Sequence, residues 1–254
     1  MSRLVNKDDI EKIRQSGKIL GEVIREIKKL VIPGVKTSFL DQVAEDLIKS
    51  HGARPAFLGY RGYPASTCIS INEQVVHGIP GERVIKPGDL VSVDIGVEFQ
   101  GFYTDAAFSV VAGNSNPVAQ KLVRVTEKSL YEGIKRALPG NRIGDISHAV
   151  QETIEAAGFS VVRDFVGHGV GRALHEDPQI PNFGKKNRGV VIEEGMVLAI
   201  EPMANEKGHQ VTILDDDWTV VTQDGGWSAH FEHTVLVTRE GPVILTRSEG
   251  NGKL

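Results

Sequence analysis

At 254 residues, with 40% apolar and 24% charged side chains, the chain has the length and balance of a globular protein of one large α/β-type domain or two smaller ones. A formal net charge of −4 argues against a dominant nucleic-acid surface, and a single cysteine, Cys68, excludes an internal disulfide and suits a reducing compartment. The opening MSRLVNKDDIEK lacks an apolar signal core, and no run approaches the ~18 apolar residues of a membrane span, so a cytoplasmic protein with no membrane partner is expected.

Taken in order, residues 8–30 place Ile10, Ile13, Gly17, Leu20, Ile24 and Ile27 at helical spacing, with Pro33-Gly34 just beyond. Thr37 or Ser38 is expected to cap a second helix, which carries Leu40, Val43, Ala44, Leu47 and Ile48 and is stopped by Gly52. Strands and turns are expected from about Ala56 to Val111. Asn116-Pro117 restarts helix, with asparagine as cap and proline at the first position, and that helix is expected to run to Leu138. A fourth spans roughly Ile143 to Ala157 before Gly158, and the remainder reads as glycine-rich strand.

Within this frame VSVDIGVEFQGFYTDAAFSVV (91–111) alternates in two runs around Glu98-Phe99-Gln100-Gly101. Asp94 falls on the minor face of the first run, with Ser92 and Gly96, and Asp105 shares a face of the second with Tyr103, Ala107 and Ser109. A four-residue loop would set the two aspartates directly opposite, whereas a two-residue Gln100-Gly101 loop would make them diagonal neighbours on the same face. Like charges so placed destabilise a hairpin unless something positive sits between them. A hard divalent cation, or two, meets that need among small neighbours; the bland alternative is a solvated outer face.

The two halves of the chain correspond. Pro33-Gly34 and Pro139-Gly140 stand at matching places, as do the stops Gly52 and Gly158, and KPGDLVSVDIG (86–96) resembles EEGMVLAIEPM (193–203). That alignment pairs Gly88 with Gly195 and Asp94 with Glu201, which suggests an internal pseudo-two-fold in a single domain spanning 1–254. Glu201 ends the apolar run Met196 to Ile200, where a buried carboxylate is costly unless paired or metal-bound. Glu232 sits in SAHFEHTVLVT, expected as an alternating strand, and His168 in VGHGVGR lies between two glycines that let backbone or ligand approach. Four carboxylates and one imidazole form an oxygen-rich set, too hard for structural zinc and apt for Mn²⁺, Fe²⁺ or Co²⁺.

The order Asp94, Asp105, His168, Glu201, Glu232, with flanks DIGVEFQGFYTDAAFS, GHGVGRALHEDP, AIEPM and SAHFEHT, resembles the type I methionine aminopeptidases, and ISINEQVVHGIP (69–80) extends the match to nearly the whole chain. The resemblance implies an α/β (α+β) pita-bread fold, with two pseudo-symmetric halves around a curved antiparallel sheet. It implies two divalent metal ions, Co²⁺, Mn²⁺ or Fe²⁺, spanned by Asp94, Asp105 and Glu232 and completed by His168 and Glu201. It further implies metal-assisted hydrolysis after the first residue, with Glu201 carrying the proton, His175 stabilising charge on the substrate carbonyl oxygen and His77 contacting the scissile amide. The methionine pocket would be built from Phe57, Tyr60, Tyr63, Cys68 and Trp218. Phe57 stands where a small residue or cysteine is common, Leu174 where an aromatic is common, and His230 where glutamine is frequent.

The activity implied is removal of the initiator methionine from nascent peptides when the second residue is small. The expected form is a cytoplasmic monomer, with the ribosome as an optional further partner; Lys185-Lys186-Asn187-Arg188 offers basic groups for it, although a solvated loop is the simpler reading. Two alternatives share the scaffold. An X-Pro aminopeptidase would be expected to add an N-terminal domain, for which the repeat, beginning within the first ten residues, leaves no space. A non-catalytic ribosome-binding protein would be expected to have broken ligands, and all five positions are intact.

Overall fold

The computed structural model describes residues 3–4, 6–113 and 116–247. Helix α1 (Lys7–Leu30) begins at Asn6, whose side chain accepts from the Asp8 N–H at 2.9 Å, and it buries Ile13, Leu20, Val23 and Ile27. Helix α2 (Thr37–Ser50) departs from expectation at its start. Lys36 holds the capping position without a side-chain capping bond, and Thr37 is already helical. The Thr37 hydroxyl is occupied by Gly81, donating to its carbonyl at 3.0 Å and accepting from its N–H at 2.8 Å. Helix α3 (Pro117–Ile134) is capped by Asn116 as expected, but stops four residues before Leu138. There Arg136 and Ala137 donate to Gly133 and Ile134, three residues back, so the last turn tightens and leaves the α-helix. Helix α4 (Ile143–Glu155) follows.

The strands in chain order are β1 (Arg54–Pro55), β2 (Thr67–Ile71), β3 (Gln74–Val76), β4 (Leu90–Phe99), β5 (Phe102–Val111), β6 (Ser160–Val161), β7 (Val166–Gly169) and β8 (Glu176–Pro181). They continue with β9 (Val197–Ile200), β10 (Met203–Asn205), β11 (Val211–Ile213), β12 (Val220–Thr222), β13 (Ser228–His230), β14 (His233–Thr238) and β15 (Gly241–Ile244). All pairings among these strands are antiparallel. One sheet joins β4 to β1, β2 and β5; another runs β15-β14-β9-β7-β8; two three-stranded sheets, β13-β10-β6 and β11-β12-β3, flank them. The two large sheets meet where Ala107 and Glu232 exchange backbone hydrogen bonds at 3.3 and 3.0 Å.

The β4–β5 hairpin resolves the loop question. Phe99 pairs with Phe102, so the turn is Gln100-Gly101, with φ of 52° and 81° at its two central residues. Positive φ at both positions is the type I′ geometry whose twist matches the strands. Gly96 therefore faces Asp105 and Asp94 faces Ala107, which makes the two aspartates diagonal neighbours on one face. The opposite face of β4, with Val91, Val93, Ile95 and Val97, packs in the same core as Leu20, Val23 and Ile27 of α1. Each such side chain contributes about 1.5–3 kcal/mol by burial. A buried polar tie reinforces the contact: Ser16 Oγ lies 2.8 Å from Thr104 Oγ1 and donates to Val97 O.

The paired segments of the two halves share hydrogen bonds as well as letters. Gly34 N–H donates to Ile85 O and Gly140 N–H to Ile192 O, at 2.8 and 2.9 Å, and both glycines have φ of 92°. Thr37 N–H donates to Arg83 O as Ile143 N–H does to Val190 O, and the bridges Lys36–Val84 and Arg142–Val191 correspond. Asp94 in β4 and Glu201 just beyond β9 thus occupy related places in two similar frameworks.

Candidate metal centre

Asp94 and Asp105 project from the hairpin, His168 comes from β7, Glu201 follows β9, and Glu232 lies between β13 and β14. Glu232 is not in a continuous alternating strand, as its sequence context suggests. Phe231-Glu232 is the step by which the chain passes from one sheet to the next, and the bonds to Ala107 hold Glu232 against β5 at that seam. The glycines around His168 serve backbone approach. A Cβ on Gly167 would lie 2.4 Å from Ala199 O, and one on Gly169 would lie 2.3 Å from Asp177 O, so β7 fits between β9 and β8 only without side chains there.

Ligand atoms of Asp105, His168 and Glu232 lie within 4.8 Å of one another. His168 Nε2 is 4.0 Å from Asp105 Oδ2 and 3.6 Å from Glu201 Oε1. His168 Nδ1 lies 2.9 Å from Gly169 O, which accepts its N–H, so in the neutral ring Nε2 carries the lone pair that a metal would use. Asp94 joins this cluster as the diagonal neighbour of Asp105 on the same hairpin face and lines the same cavity.

The electrostatics are those of anions crowded without a counter-charge. Burial pushes the Asp94 carboxyl up to about 7. Burial first, then the charges of Glu232 and Asp94, holds Asp105 well above the carboxylate range. Glu201 and Glu232 rise for the same reasons, burial and then neighbouring carboxylates. Burial lowers His168, keeping it neutral and able to ligate. Asp94 Oδ1, Asp105 Oδ1 and Glu232 Oε1 are enclosed and have no hydrogen-bond partner among the described residues. Such groups are costly unless a cation satisfies them. The set therefore fits hard divalent metal: carboxylate oxygens, one imidazole nitrogen, and orphaned lone pairs.

The same residues line a cavity of about 140 Å³, together with every other position singled out for the substrate. Phe57, Tyr63, Cys68 and Leu174 are buried and cluster with half-buried Tyr60 and Trp218. The Tyr63 hydroxyl donates to backbone carbonyls of Thr67 and Gly78, and its ring meets Trp218 edge-on at 5.0 Å. Cys68 pairs with Asp94 across β2 and β4, and burial pushes its thiol far up, so it is a neutral wall residue. His175 stands exposed at the rim, with Nδ1 2.8 Å from the Tyr60 hydroxyl and its ring 4.3 Å from that of His168. His77 has φ of 59° and packs edge-on to Phe165 and Trp218. Burial lowers it to about 4.

Sequence reasoning missed Arg61 and Val76, which also line the cavity, and Phe165, which packs on His77. Arg61 lies inside YRGYP and Val76 precedes His77, so proximity was the one available signal; nothing near Phe165 marks it. Arg61 is the single fixed cation among the described lining residues and sits at the exposed rim. A larger groove of about 780 Å³, lined by Arg25, Lys28, Lys29 and Arg247, brings no comparable ligand set together.

Residues 11–239 match the family model of metallopeptidase family M24. The chain is 53% identical over 243 residues to a methionine aminopeptidase of Clostridium perfringens, covering 96% of this chain and 98% of that one. It is 52% identical over 235 residues to methionine aminopeptidase 1 of Bacillus subtilis, covering 92% and 95%. The crystal structure of a methionine aminopeptidase from Thermotoga maritima superposes with a TM-score of 0.95 at 48% identity, covering 97% of this chain and 100% of that one. The mixed helices and antiparallel sheets thus form the pita-bread fold. The chain belongs to metallopeptidase family M24, among its methionine aminopeptidases.

Proposed function

We propose that this chain is a dinuclear-metal hydrolase that removes the initiator methionine from nascent peptides whose second residue is small. The observation that carries the reading is the cluster of buried Asp94, Asp105 and Glu232 and half-buried Glu201 around His168, with orphaned oxygens and no Lys or Arg paired to it among the described residues. Four carboxylates carry as much negative charge as two divalent ions carry positive, which supports two ions rather than one. Asp94, Asp105 and Glu232 would span them, His168 and Glu201 would complete the shell, and Co²⁺, Mn²⁺ and Fe²⁺ suit these donors. When bound, such ions polarise a carbonyl and make water easier to ionise.

The protein's own groups do the rest. Glu201, raised by burial and by its acidic neighbours, is suited to take a proton from water and pass it to the leaving amine. If the Tyr60 hydroxyl donates to His175 Nδ1, the His175 Nε2–H is left to donate to the substrate carbonyl oxygen. His77, kept neutral by burial, contacts the scissile amide. Phe57, Tyr60, Tyr63, Cys68, Leu174 and Trp218 present apolar walls and ring edges to an unbranched thioether. The reading includes one domain over residues 1–254, acting as a cytoplasmic monomer on nascent-chain N-termini. Ribosome contact through Lys185, Lys186 and Arg188 belongs to it as an optional part, supported by their exposure.

Peptides Met-Ala, Met-Leu, Lys-Ala and Ala-Pro, compared at equal enzyme and measured metal content, test the proposal. Met-Ala is expected to be cleaved far faster than the others. A charged first residue would be buried against uncharged walls, and a bulky second residue would displace the scissile carbonyl. Faster cleavage of Ala-Pro would overturn the methionine assignment, and full activity with about one metal per chain would overturn the dinuclear one.

A further inference from the structure

Glu201 lies between two imidazoles: His168 Nε2 is 3.6 Å from its Oε1, and His230 Nε2 is 3.7 Å from its Oε2. The two rings cannot play the same part. His168 gives its Nδ1 proton to Gly169 O, so its neutral Nε2 has a lone pair and nothing to donate. His230 Nε2 is enclosed and lacks any hydrogen-bond partner among the described residues, in a residue only 1% exposed. Beside the ionised Glu201 of the metal-loaded protein a lone pair at this distance would be repelled, whereas an N–H would be held. That preference is the same for a neutral ring protonated on Nε2 and for an imidazolium.

The His230 backbone is fixed. Its N–H donates to Ser109 Oγ at 2.9 Å, the same hydroxyl donates back to the His230 carbonyl at 2.7 Å, and Met203 is its pair across β10. With the His230 backbone held, the 3.7 Å gap closes to hydrogen-bond distance by a side-chain movement of roughly 0.7 Å.

We propose that His230 is a positioning residue whose Nε2–H holds Glu201 Oε2, leaving Oε1 turned toward His168 and the reacting side of the cavity. The proposal rests on the reading of Glu201 as proton carrier. One oxygen is occupied and the other has a defined direction, so the carboxylate is oriented before substrate arrives.

The direct test is ¹⁵N–¹H NMR of the zinc-loaded protein with labelled histidine, assigning His230 by its loss in His230→Gln. A hydrogen-bonded Nε2–H is expected, and a ring protonated only on Nδ1 overturns the proposal. In kinetics, His230→Leu is expected to lower kcat about tenfold or more with KM changed by less than about threefold, and His230→Gln, which keeps an N–H donor, to restore kcat to within about threefold. Any loss of metal affinity by calorimetry in His230→Leu is expected to be restored in His230→Gln. A leucine variant with parental kcat, equal impairment of the two variants, or a large loss of metal affinity that glutamine does not restore would each overturn it. If the leucine variant fails to fold, the NMR result and the glutamine variant decide. Adding His230→Leu to Glu201→Gln is expected to lower kcat no further. Should Glu201→Gln alone keep parental turnover, the proton-carrier reading falls, and the NMR measurement still decides the hydrogen bond.

Discussion

Stripping the metal and scanning pH gives the sharpest check on the cluster. In the metal-free protein Asp94 has its carboxyl moved from 3.8 to about 7 by burial, and Asp105, Glu201 and Glu232 move in the same direction. A carboxyl raised on folding binds its proton more tightly in the native state. Its contribution to stability is therefore complete below about pH 4 and is lost as pH rises through the folded value. For Asp94 alone the loss by pH 8 is on the order of 4 kcal/mol, which in a protein of this size moves Tm by roughly 10 °C. Bound divalent metal removes the loss by neutralising the same oxygens, and it must displace their protons to bind, so its affinity also rises with pH. His77, His230 and His233, which burial lowers to about 4, 3 and 4, add the opposite slope below about pH 6.5. That slope is common to both forms, so the readout is the Tm difference between metal-loaded and chelator-treated protein. Scanning calorimetry is expected to show this gap widening from pH 6 to 8.5. A gap that is constant, or that narrows with pH, would refute the placement of four uncompensated carboxylates in one cavity.

Asp94→Ala and Asp105→Ala are each expected to abolish stoichiometric metal binding and activity, checked by elemental analysis of dialysed protein; parental metal content and turnover in either would remove that residue from the site. Glu201→Gln keeps size and some ligation but no transferable proton, so kcat is expected to fall about 10²–10⁴-fold with a much smaller change in KM. An effect confined to KM would leave Glu201 as a ligand or structural group only. In Gly96→Ala the new Cβ would lie 2.6 Å from Phe57 Cε1 and 2.9 Å from Ala56 Cβ. The Phe57 ring must shift, so KM for Met-Ala is expected to rise several-fold with kcat less affected; an unchanged KM would show that Phe57 does not shape the pocket.

What the sequence could and could not disclose follows from how far each signal reaches along the chain. Helix α1 and the Asn116-Pro117 start of α3 were legible because periodicity and capping are local. The hairpin was legible except for its register, since both loop lengths leave Asp94 and Asp105 on one face; the positive φ at Gln100 and Gly101 made the choice. Thr37 misled as a cap because Gly81, 44 residues away, takes its hydroxyl. Glu232 misled as a strand residue because its backbone partner, Ala107, belongs to another sheet. That Asp94, Asp105, His168, Glu201 and Glu232 gather from five segments is implied by the family resemblance and by no local signal, and Phe165 is invisible in the sequence because its contact with His77 exists only in three dimensions.

The asymmetry of the site follows from what each half places beside its matching carboxylate. Next to β4, strand β2 sets Cys68 directly across from Asp94. Next to β9, strand β7 sets His168 across from Ala199, two residues before Glu201. A thiol there could have been a second soft ligand, but burial beside Asp94 keeps it protonated, and a protonated thiol does not compete for a hard cation. The imidazole can ligate because the same burial favours its neutral form, and Gly169 O fixes the proton on the far nitrogen. Burial thus acts with opposite result on the two side chains, leaving Cys68 protonated and His168 neutral with a lone pair free to ligate. The hairpin half is left with oxygen donors alone, and the other half adds a nitrogen donor to the carboxylates of Glu201 and Glu232. Two similar backbone frameworks therefore set side chains of different chemistry beside Asp94 and Glu201, and Phe57, Tyr63 and Leu174 gather on the Cys68 side.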